Sequence, residues 1–364
     1  MMRKLISISF LFIAACVDPL NVKLTDSTKR IVVDGLITNL PGPYQVKIFY
    51  SNKLSVTHLT PFTPVTSAFV SIIDDLGNQY SLSEISPGLY ETNPNEFTGQ
   101  IGRGYYVLIF SEDGKEYRSE IQEMKEPGTI DDVYFEFEQD ALTDNSDKID
   151  GLKVYVDSKG GLSEDNLFRW RWTTIHKAVS RPELKITSTP GGDRPTPEPC
   201  SGYIYRGGRL VRVGDCTCCI CWSYNYSDGS FVSKNDFVSE SQFKKQFIGL
   251  IPITAMHFYE NYYIEVQQLS LSEEAYHFWD LIEKQQKGSS DLFQPDAVKI
   301  VGNITNVNNE SEEVLGFFGV SAVASKSLYI QPYEVPYPIP DIDIVPYSCL
   351  DYFKNPTTEQ PIFW

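Results

Sequence analysis

Hydrophobic and polar positions alternate with a period of two along the first part of the chain, as is typical of half-buried β-strands. The stretches RIVVDGLIT (30–38) and YQVKIFYS (44–51) flank the turn-rich break Asn-Leu-Pro-Gly-Pro. Residues 67–82 follow as strand, turn and strand, and residues 104–124 form the clearest hairpin, with Glu-Asp-Gly at its turn. This density of short strands predicts an immunoglobulin-like β-sandwich over residues 30–126.

A second series of strand patterns follows the Lys-Glu-Pro-Gly break at residues 125–128 and predicts another β-rich domain over residues 127–364. Aromatic residues and arginines alternate along FRWRWTT, in the order Phe168, Arg169, Trp170, Arg171 and Trp172. We interpret this stretch as a strand with an aromatic face in the core, because Trp is usually highly buried. The alternative is a cationic, aromatic ligand surface. The sequence therefore predicts a mainly β protein of two β-sandwich (Ig-like) domains in tandem.

Two segments of the second domain depart from the strand pattern. Residues 178–214 are rich in Pro, Gly, Ser and Arg and are predicted to form a long loop insertion. Residues 270–288 have helical periodicity, with Ser272 suited to the N-cap and Gly288 to the end of the helix. One face of this helix is apolar and is predicted to pack on the core, through Ala275, Phe278, Trp279 and Ile282.

The N-terminus has the pattern of a bacterial lipoprotein signal. Two basic residues precede an apolar run that ends at Ala15 and is too short to cross ~30 Å of hydrocarbon as a helix. The small residues Ala14 and Ala15 directly precede Cys16, which resembles a lipobox, where the cysteine thiol is diacylated. We therefore expect a signal peptide over residues 1–15, lipidation at Cys16 and a tether over residues 16–29. The alternative is an ordinary signal peptide with a cysteine nearby by chance.

Charge and aromatic content narrow the possible partners. The 364 residues are 41% hydrophobic and 22% charged, as in ordinary packed globular proteins. The formal net charge of −17 argues against a nucleic-acid partner, because phosphates would be repelled. The 22 Tyr and 21 Phe fit a turn-rich β-protein and also a surface that stacks ligands.

Six cysteines follow the predicted anchor, and they are Cys200, Cys216, Cys218, Cys219, Cys221 and Cys349. The secretory signal predicts an oxidising compartment, where disulfides are expected. If the cluster CTCCICW is a strand, its cysteines alternate between two faces and adjacent ones cannot pair without strain. Their partners are then distant, with Cys200 and Cys349 as the obvious candidates. Six cysteines allow 15 connectivities, among which the sequence does not choose.

Two alternatives to structural disulfides are a thiolate site for zinc or copper(I) and a redox-active C-x-x-C pair. The metal hypothesis lacks the turn geometry of a C-x₂-C knuckle. The redox hypothesis applies formally to residues 216–219 and 218–221, but no helix follows to lower the pKa of a thiol. Structural disulfides are therefore the favoured interpretation.

The remaining polar residues form no recognisable catalytic pattern. The histidines lie outside hydrolase and metalloprotease motifs, at His58, His176, His257 and His277. Ser241 and Lys244 match S-x-x-K, which is too short to carry meaning alone. The acidic groups at residues 74–75 and 341–343 are better explained as solvated loops than as calcium sites. We therefore expect a protein that is not an enzyme and that uses no metal or cofactor.

Several segments, taken in order, resemble a family of Bacteroidetes lipoproteins that carries the domain of unknown function 4249. The resemblance covers nearly the whole chain after the signal, through IVVDGLITNLPGPYQVKI, AFVSIIDDLGNQYSL, GLYETNPNEFTGQIGRGYYVLIFSEDGKEYRSE, SLSEEAYHFWDLIEKQQ, LFQPDAVKIVGNITNV and EVLGFFGVSAVASKSLYI. The pair Cys221-Trp222 and the terminal Phe-Trp also fit that family. Its members usually carry C-x-D-C near the end, whereas this chain has Tyr352 in place of the second cysteine. The resemblance therefore implies a disulfide pattern that differs from the usual one.

Members of that family tend to be encoded beside TonB-dependent outer-membrane receptors. The resemblance implies an accessory lipoprotein of a nutrient-uptake system, anchored in the outer-membrane bilayer through acyl chains on Cys16. Such a protein acts by binding a ligand or a receptor. The alternatives are a surface adhesin or glycan-binding lipoprotein that needs no transporter, and a hydrolase. The side of the outer membrane, periplasmic or cell-surface, stays open.

Overall fold

The computed structural model describes residues 29–51, 62–144, 147–161, 166–227, 231–233, 242–288, 300–335, 339 and 344–364. The protein is mainly β, as predicted. The predicted signal peptide, the lipidation residue Cys16 and nearly all of the tether lie outside the described residues. Within the described ranges, no helix is both long enough and apolar enough to span a bilayer.

The first part of the chain forms short strands joined by tight turns. They are β1 (Ile31–Thr38), β2 (Gln45–Ser51), β3 (Phe62–Pro64), β4 (Phe69–Asp74), β5 (Gln79–Ser86), β6 (Leu89–Thr92), β7 (Gly104–Phe110), β8 (Glu116–Ser119) and β9 (Gln122–Glu123). In most of them alternate side chains are buried, because successive residues of a strand point to opposite faces.

The second part begins with two long strands and includes two small hairpins. Its first elements are β10 (Thr129–Asp144), β11 (Asp147–Lys159), β12 (Phe168–Val179), β13 (Ile186–Thr189), β14 (Gly192–Pro195), β15 (Tyr203–Arg206), β16 (Arg209–Arg212), β17 (Ile220–Tyr226), β18 (Phe231–Val232), β19 (Gln242–Pro252) and β20 (Tyr262–Ser270). The elements that follow are α1 (Glu273–Gly288), β21 (Ile304–Asn306), β22 (Leu315–Ser321), β23 (Val323–Ile330), α2 (Cys349–Tyr352) and β24 (Pro356–Thr357). Short 3₁₀ turns span Pro182–Leu184, Pro199–Ser201 and Pro332–Glu334.

One sheet, the first sheet, runs in the order β21-β8-β7-β4-β5-β6-β2-β1-β22, with β3 beside β2 and β9 beside β7. The two ends of this path contact each other, because β22 packs near β21, β7 and β9. The sheet therefore closes around its own core in a sandwich- or barrel-like arrangement. Fully buried side chains from distant strands meet there, including Val33, Val46, Ile72, Val107 and Phe318.

Two further sheets pack face to face. The outer sheet has the order β10-β11-β19, and the central sheet has the order β23-β20-β12-β17-β24, with β18 beside β12. Their common core contains Leu152 and Val154 from the outer sheet and Phe168, Trp170 and Val266 from the central sheet. Period-two alternation on each strand supplies these inward-facing residues.

After helix α1 the chain returns to the first sheet and adds β21 and β22 to it. The predicted division between residues 126 and 127 does not include this return. Residues 314–330 form two strands, β22, which is parallel to β1, and β23, which pairs with β20. Between them, the N–H of the buried Ala322 donates to Ser270 Oγ at 2.9 Å. One short stretch therefore belongs to both the first and the central sheets and fixes them to each other. The left-handed backbone of Gly316 (φ 93°) is needed at its start, because a Cβ there would overlap the Val33 carbonyl oxygen.

Two predicted boundaries change in the structure. The segment 178–214, predicted as a loop, begins with the end of β12 and contains the hairpins β13–β14 and β15–β16. Exposed residues occupy most of their positions, so these hairpins give little hydrophobic signal in the sequence. The helix predicted over 270–288 begins at Glu273. Ser270 ends β20, and Ser272 is the N-cap as predicted, since its Oγ accepts the N–H of Ala275 at 3.1 Å.

Candidate functional site

Strand β12 separates its aromatic residues from its arginines. Phe168 and Trp170 are almost fully buried in the core shared with the outer sheet, and Trp172 packs against that core. The interpretation of this strand as core is therefore confirmed for its aromatic face. Arg169 and Arg171 are on the opposite face of the strand and line a cleft, which none of the three aromatic residues lines.

The cleft lies where the first sheet meets the central sheet and helix α1, and we call it the interdomain cleft. Its volume is about 580 Å³, within the range of ~300–1,000 Å³ usual for small-molecule sites. The first sheet supplies residues of β1, β2, the loop between them and β22. The other wall comes from β12, β20 and α1, with Arg169, Arg171, Leu269, Leu271, Ala275 and Trp279.

The Arg169 guanidinium is held by stacking, while one of its donors has no partner. Its Cζ lies 3.5 Å from the centroid of the Trp279 ring, a cation–π contact. Its Nε is buried and has no hydrogen-bond partner among the described residues. Burial and, to a smaller extent, repulsion by Arg171 lower the pKa of Arg169 to about 10, against a weaker attraction from Asp34. The side chain nevertheless remains positively charged at neutral pH.

Arg171 is oriented by a chain of polar contacts along β20. Its Nε donates to Gln267 Oε1 at 2.7 Å, and Gln267 Nε2 donates to Glu265 Oε1 at 3.0 Å. Burial lowers the pKa of the Arg171 guanidinium, and the Glu265 carboxylate partly offsets this. The described residues supply no carboxylate that forms an ion pair with Arg169 or Arg171.

The charge of the cleft is opposite to that of the whole protein. The lining side chains of Arg169, Arg171 and Lys47 carry three positive charges and Asp34 carries one negative charge, so 3 − 1 leaves +2. Asp34 lies directly opposite Lys47 in the β1–β2 register, so it already has a cationic neighbour. Because the chain as a whole carries −17, this cationic site stands out from its surroundings.

Helix α1 brings Trp279 over Arg169, and its position depends on Ser272. Ala275 and Phe278 are buried, and Trp279 and Ile282 pack against the same small core, which confirms the predicted apolar stripe. The Ser272 hydroxyl caps the helix and also donates to the Oε1 of the buried Gln122 in β9. One side chain thus connects the helix to the first sheet.

We expect Ser272→Ala to lower the free energy of unfolding by about 2 kcal/mol, because it removes a helix cap and leaves Gln122 Oε1 without its donor. Urea unfolding followed by circular dichroism measures this change. The matched control is Ser188→Ala in the exposed β13, where Ser188 Oγ contacts Asp193 Oδ1 at 2.7 Å. That control should change stability by less than about 0.5 kcal/mol. Equal effects of the two changes would contradict the role of Ser272 as a link.

The six cysteines of the described chain form three disulfides, Cys200–Cys218, Cys216–Cys219 and Cys221–Cys349. Their Cα–Cα distances of 5.7, 5.7 and 6.1 Å are those of ordinary disulfides. Cys200 and Cys349 do pair with the cluster. The expectation of only distant partners is wrong for Cys216 and Cys219, because β17 begins at Ile220 and the preceding residues form a bend. Oxidation of all six leaves no thiolate for the alternative metal site.

Other candidates from the sequence are engaged in local structure. Asp74 Oδ1 accepts the backbone N–H groups of Leu76 and Asn78, and Arg103 pairs with both Asp74 and Asp75. Asp74 therefore organises a turn. His257 Nδ1 contacts Thr254 Oγ1 at 2.7 Å. Outside the described residues lie His58, Ser241, Asp341 and Asp343.

Aromatic residues also cross the outward face of the outer sheet in register. Tyr134 is opposite Tyr155, and Tyr155 is opposite Phe247, on three adjacent strands. Their ring centroids are 5.8 and 6.0 Å apart, and Phe247 is 45% exposed. We call these three residues the aromatic row.

A family model described as a domain of unknown function (DUF4249) matches residues 17–327. This chain belongs to the DUF4249 family. The resemblance to the domain of unknown function 4249 seen in the sequence is thereby confirmed. No curated protein and no solved structure matches the chain.

The part of the chain that matches DUF4249 contains every residue that lines the interdomain cleft, from Asp34 to Ser321. The strands β21 and β22, which complete the first sheet, also lie within it. The C-terminal residues from 328 onward lie outside the match, and they include Cys349 and the terminal Trp364. Trp364 packs against Ile175, Trp222 and Tyr263.

Proposed function

We propose that this protein is a non-enzymatic lipoprotein, anchored in the outer membrane by acyl chains on Cys16. In this proposal it is an accessory component of a TonB-dependent nutrient-uptake system and acts by binding. The position of Cys16 after Ala14-Ala15 supports the anchor, since two or three acyl chains hold a protein durably at a bilayer. The resemblance to Bacteroidetes lipoproteins supports the link with uptake.

The observation that carries the binding role is the interdomain cleft with its paired arginines. Ligand sites are concave and often lie between domains, with a few polar groups that fix orientation. Guanidinium groups suit binding better than proton transfer, because they donate hydrogen bonds and remain charged at neutral pH. With a pKa of about 10, Arg169 keeps this character despite its burial.

The test is co-purification from native outer membranes of cells fed a clickable palmitate analogue. We expect the wild-type protein to carry the label and to recover a TonB-dependent receptor in stoichiometric amounts. Cys16→Ala is the matched variant and should lose both the label and the membrane fraction. An unlabelled wild-type protein would contradict the anchor. A labelled protein that recovers no such receptor would contradict the uptake role.

The aromatic row favours one alternative, a glycan-binding lipoprotein that acts without a transporter. Aromatic faces bind the apolar faces of sugar rings, and Phe247 is exposed enough to contact them. In this case the purified protein binds glycans by itself, and Phe247→Ala weakens that binding. Receptor recovery from membranes together with an absence of glycan binding would exclude this alternative.

A further inference from the structure

The interdomain cleft carries two half-buried cationic side chains, Arg169 and Arg171, that form no ion pair among the described residues. We propose that it binds a small molecule with an anionic oxygen head group, a carboxylate or a phosphate, on an apolar body. This inference rests on the proposed binding function and specifies the chemistry of its ligand.

The spacing of the arginines suits a shared oxyanion. Residues i and i+2 of a strand are roughly 7 Å apart and point to the same face. Arg169 and Arg171 therefore extend side by side from β12 into the cleft. Guanidinium groups bind carboxylates and phosphates through two parallel hydrogen bonds, so this pair can hold both oxygens of one head group.

Both guanidinium groups are held in place before any ligand arrives. Arg169 stacks on Trp279, which holds the plane of the guanidinium, and its buried Nε–H has no partner in the described chain. Arg171 is oriented by Gln267, and this contact uses only one of its five donors. Such preorganisation reduces the entropy lost when a ligand binds.

The rest of the same wall is apolar and suits the body of the ligand. Leu269, Leu271 and Ala275 lie beside the arginines, and Phe317 faces them from β22. A purely ionic ligand such as free phosphate would leave these side chains without contacts. The combination therefore selects an amphipathic acid over an inorganic anion.

The arginines could instead have a structural role, in which their charge holds the two walls of the cleft together. This role predicts a different effect of their replacement on stability. Asp34 attracts Arg169 across the cleft, but it forms no ion pair with it in the described chain and lies opposite Lys47. If that attraction were the purpose of the arginines, their neutralisation would destabilise the fold. If they bind a ligand, neutralisation removes repulsion between them and leaves the fold intact.

The experiment is isothermal titration calorimetry of the full chain in detergent with three probes. N-acetylphenylalanine supplies a carboxylate, phenyl phosphate supplies a phosphate, and N-acetylphenylalanine amide is the neutral match of the first. We expect at least one acid to bind about 10-fold or more tightly than the amide, since hydrogen bonds to charged groups contribute this much. The tighter of the two acids identifies the head group.

Arg171→Gln should weaken the binding of the acid by about 10-fold or more. Arg171→Lys should lose less affinity, because lysine keeps the positive charge. Arg206→Gln, at an exposed position of β15, is the matched control and should bind as wild type. A melting temperature unchanged in Arg171→Gln excludes the structural explanation. Equal binding of acid and amide, or no binding of either acid, would overturn the proposal. Because receptor recovery from membranes is measured separately, failure here would leave the uptake role intact.

Discussion

Replacement of both Cys221 and Cys349 by alanine is expected to lower the free energy of unfolding by about 5 kcal/mol. This disulfide joins residues 128 positions apart in the sequence, and a cross-link restricts the unfolded chain more when the loop it closes is longer. The other two disulfides lie entirely before Cys221, so neither of them closes any part of this loop. Both cysteines are fully buried beside Ala178 and Phe353, so their removal also costs packing.

The matched control is the double replacement of Cys216 and Cys219, which lie in the same cluster but only 3 positions apart. Loop closure then predicts a loss of only about 2 kcal/mol. Urea unfolding under non-reducing conditions, followed by circular dichroism, measures both variants. Equal losses in the two variants would show that loop length does not determine the contribution of these disulfides.

The cysteines illustrate how far the sequence could predict the structure. Their spacing identified the cluster, and the secretory signal indicated disulfides. The pairing depended on where β17 begins, because a strand that started at Cys216 would have kept Cys216 and Cys219 apart. The start at Ile220 instead leaves these two residues on a bend that brings their sulfurs together.

The fold shows a similar division between local and long-range information. Periodicity correctly indicated strands and the single long helix, because these depend on neighbouring residues. It could not indicate that the run from 314 to 330 serves two sheets, since its apolar pattern fits either partner. That assignment depends on contacts with β1 and β20, which lie far away in the chain.

The sequence predicted only part of the candidate site, because the rest depends on contacts between distant parts of the chain. The alternation in FRWRWTT placed Arg169 and Arg171 opposite the core, and a cationic, aromatic ligand surface was the alternative interpretation, of which only the cationic part lines the cleft. The sequence gave no means of recognising that β1, β22 and α1 cover this face and turn it into a cleft. Trp279 was predicted as core, and it does contact the core, but it also stacks on Arg169.

Acidification from pH 7 to pH 5 is expected to lower the free energy of unfolding by about 3 kcal/mol, chiefly through two histidines. Burial lowers the pKa of His176 to about 3, helped by the nearby His257, and burial lowers the pKa of His257 to about 4. The His176 ring stacks on Tyr262 at 5.6 Å and lies 4.9 Å from the His257 ring. Its Nδ1 is buried and has no hydrogen-bond partner in the described chain, so a proton there would be poorly solvated.

The sign follows from which state takes up protons. Well above pH 6.5 both histidines are neutral in the folded and in the unfolded chain, so they add no pH dependence. Below that pH the unfolded chain binds protons that the folded chain excludes, and stability falls by about 1.4 kcal/mol per pH unit for each such histidine. His176 is almost fully buried, so its whole difference in pKa contributes to the loss of stability. His257 is half-buried and contributes less. Together they give a loss of about 3 kcal/mol at pH 5.

His176→Phe separates this effect from the titration of carboxylates. Phenylalanine keeps a ring against Tyr262 but cannot take up a proton, so we expect the loss between pH 7 and pH 5 to shrink by about 2 kcal/mol. The control is His277→Gln, which removes a histidine whose side chain is 66% exposed on α1, away from the ring cluster of His176. Urea unfolding at half-unit pH steps measures all three proteins. A wild-type slope retained in His176→Phe would mean that His176 is protonated in the folded chain. The ring packing with His257 and Tyr262 would then have to open at mildly acidic pH.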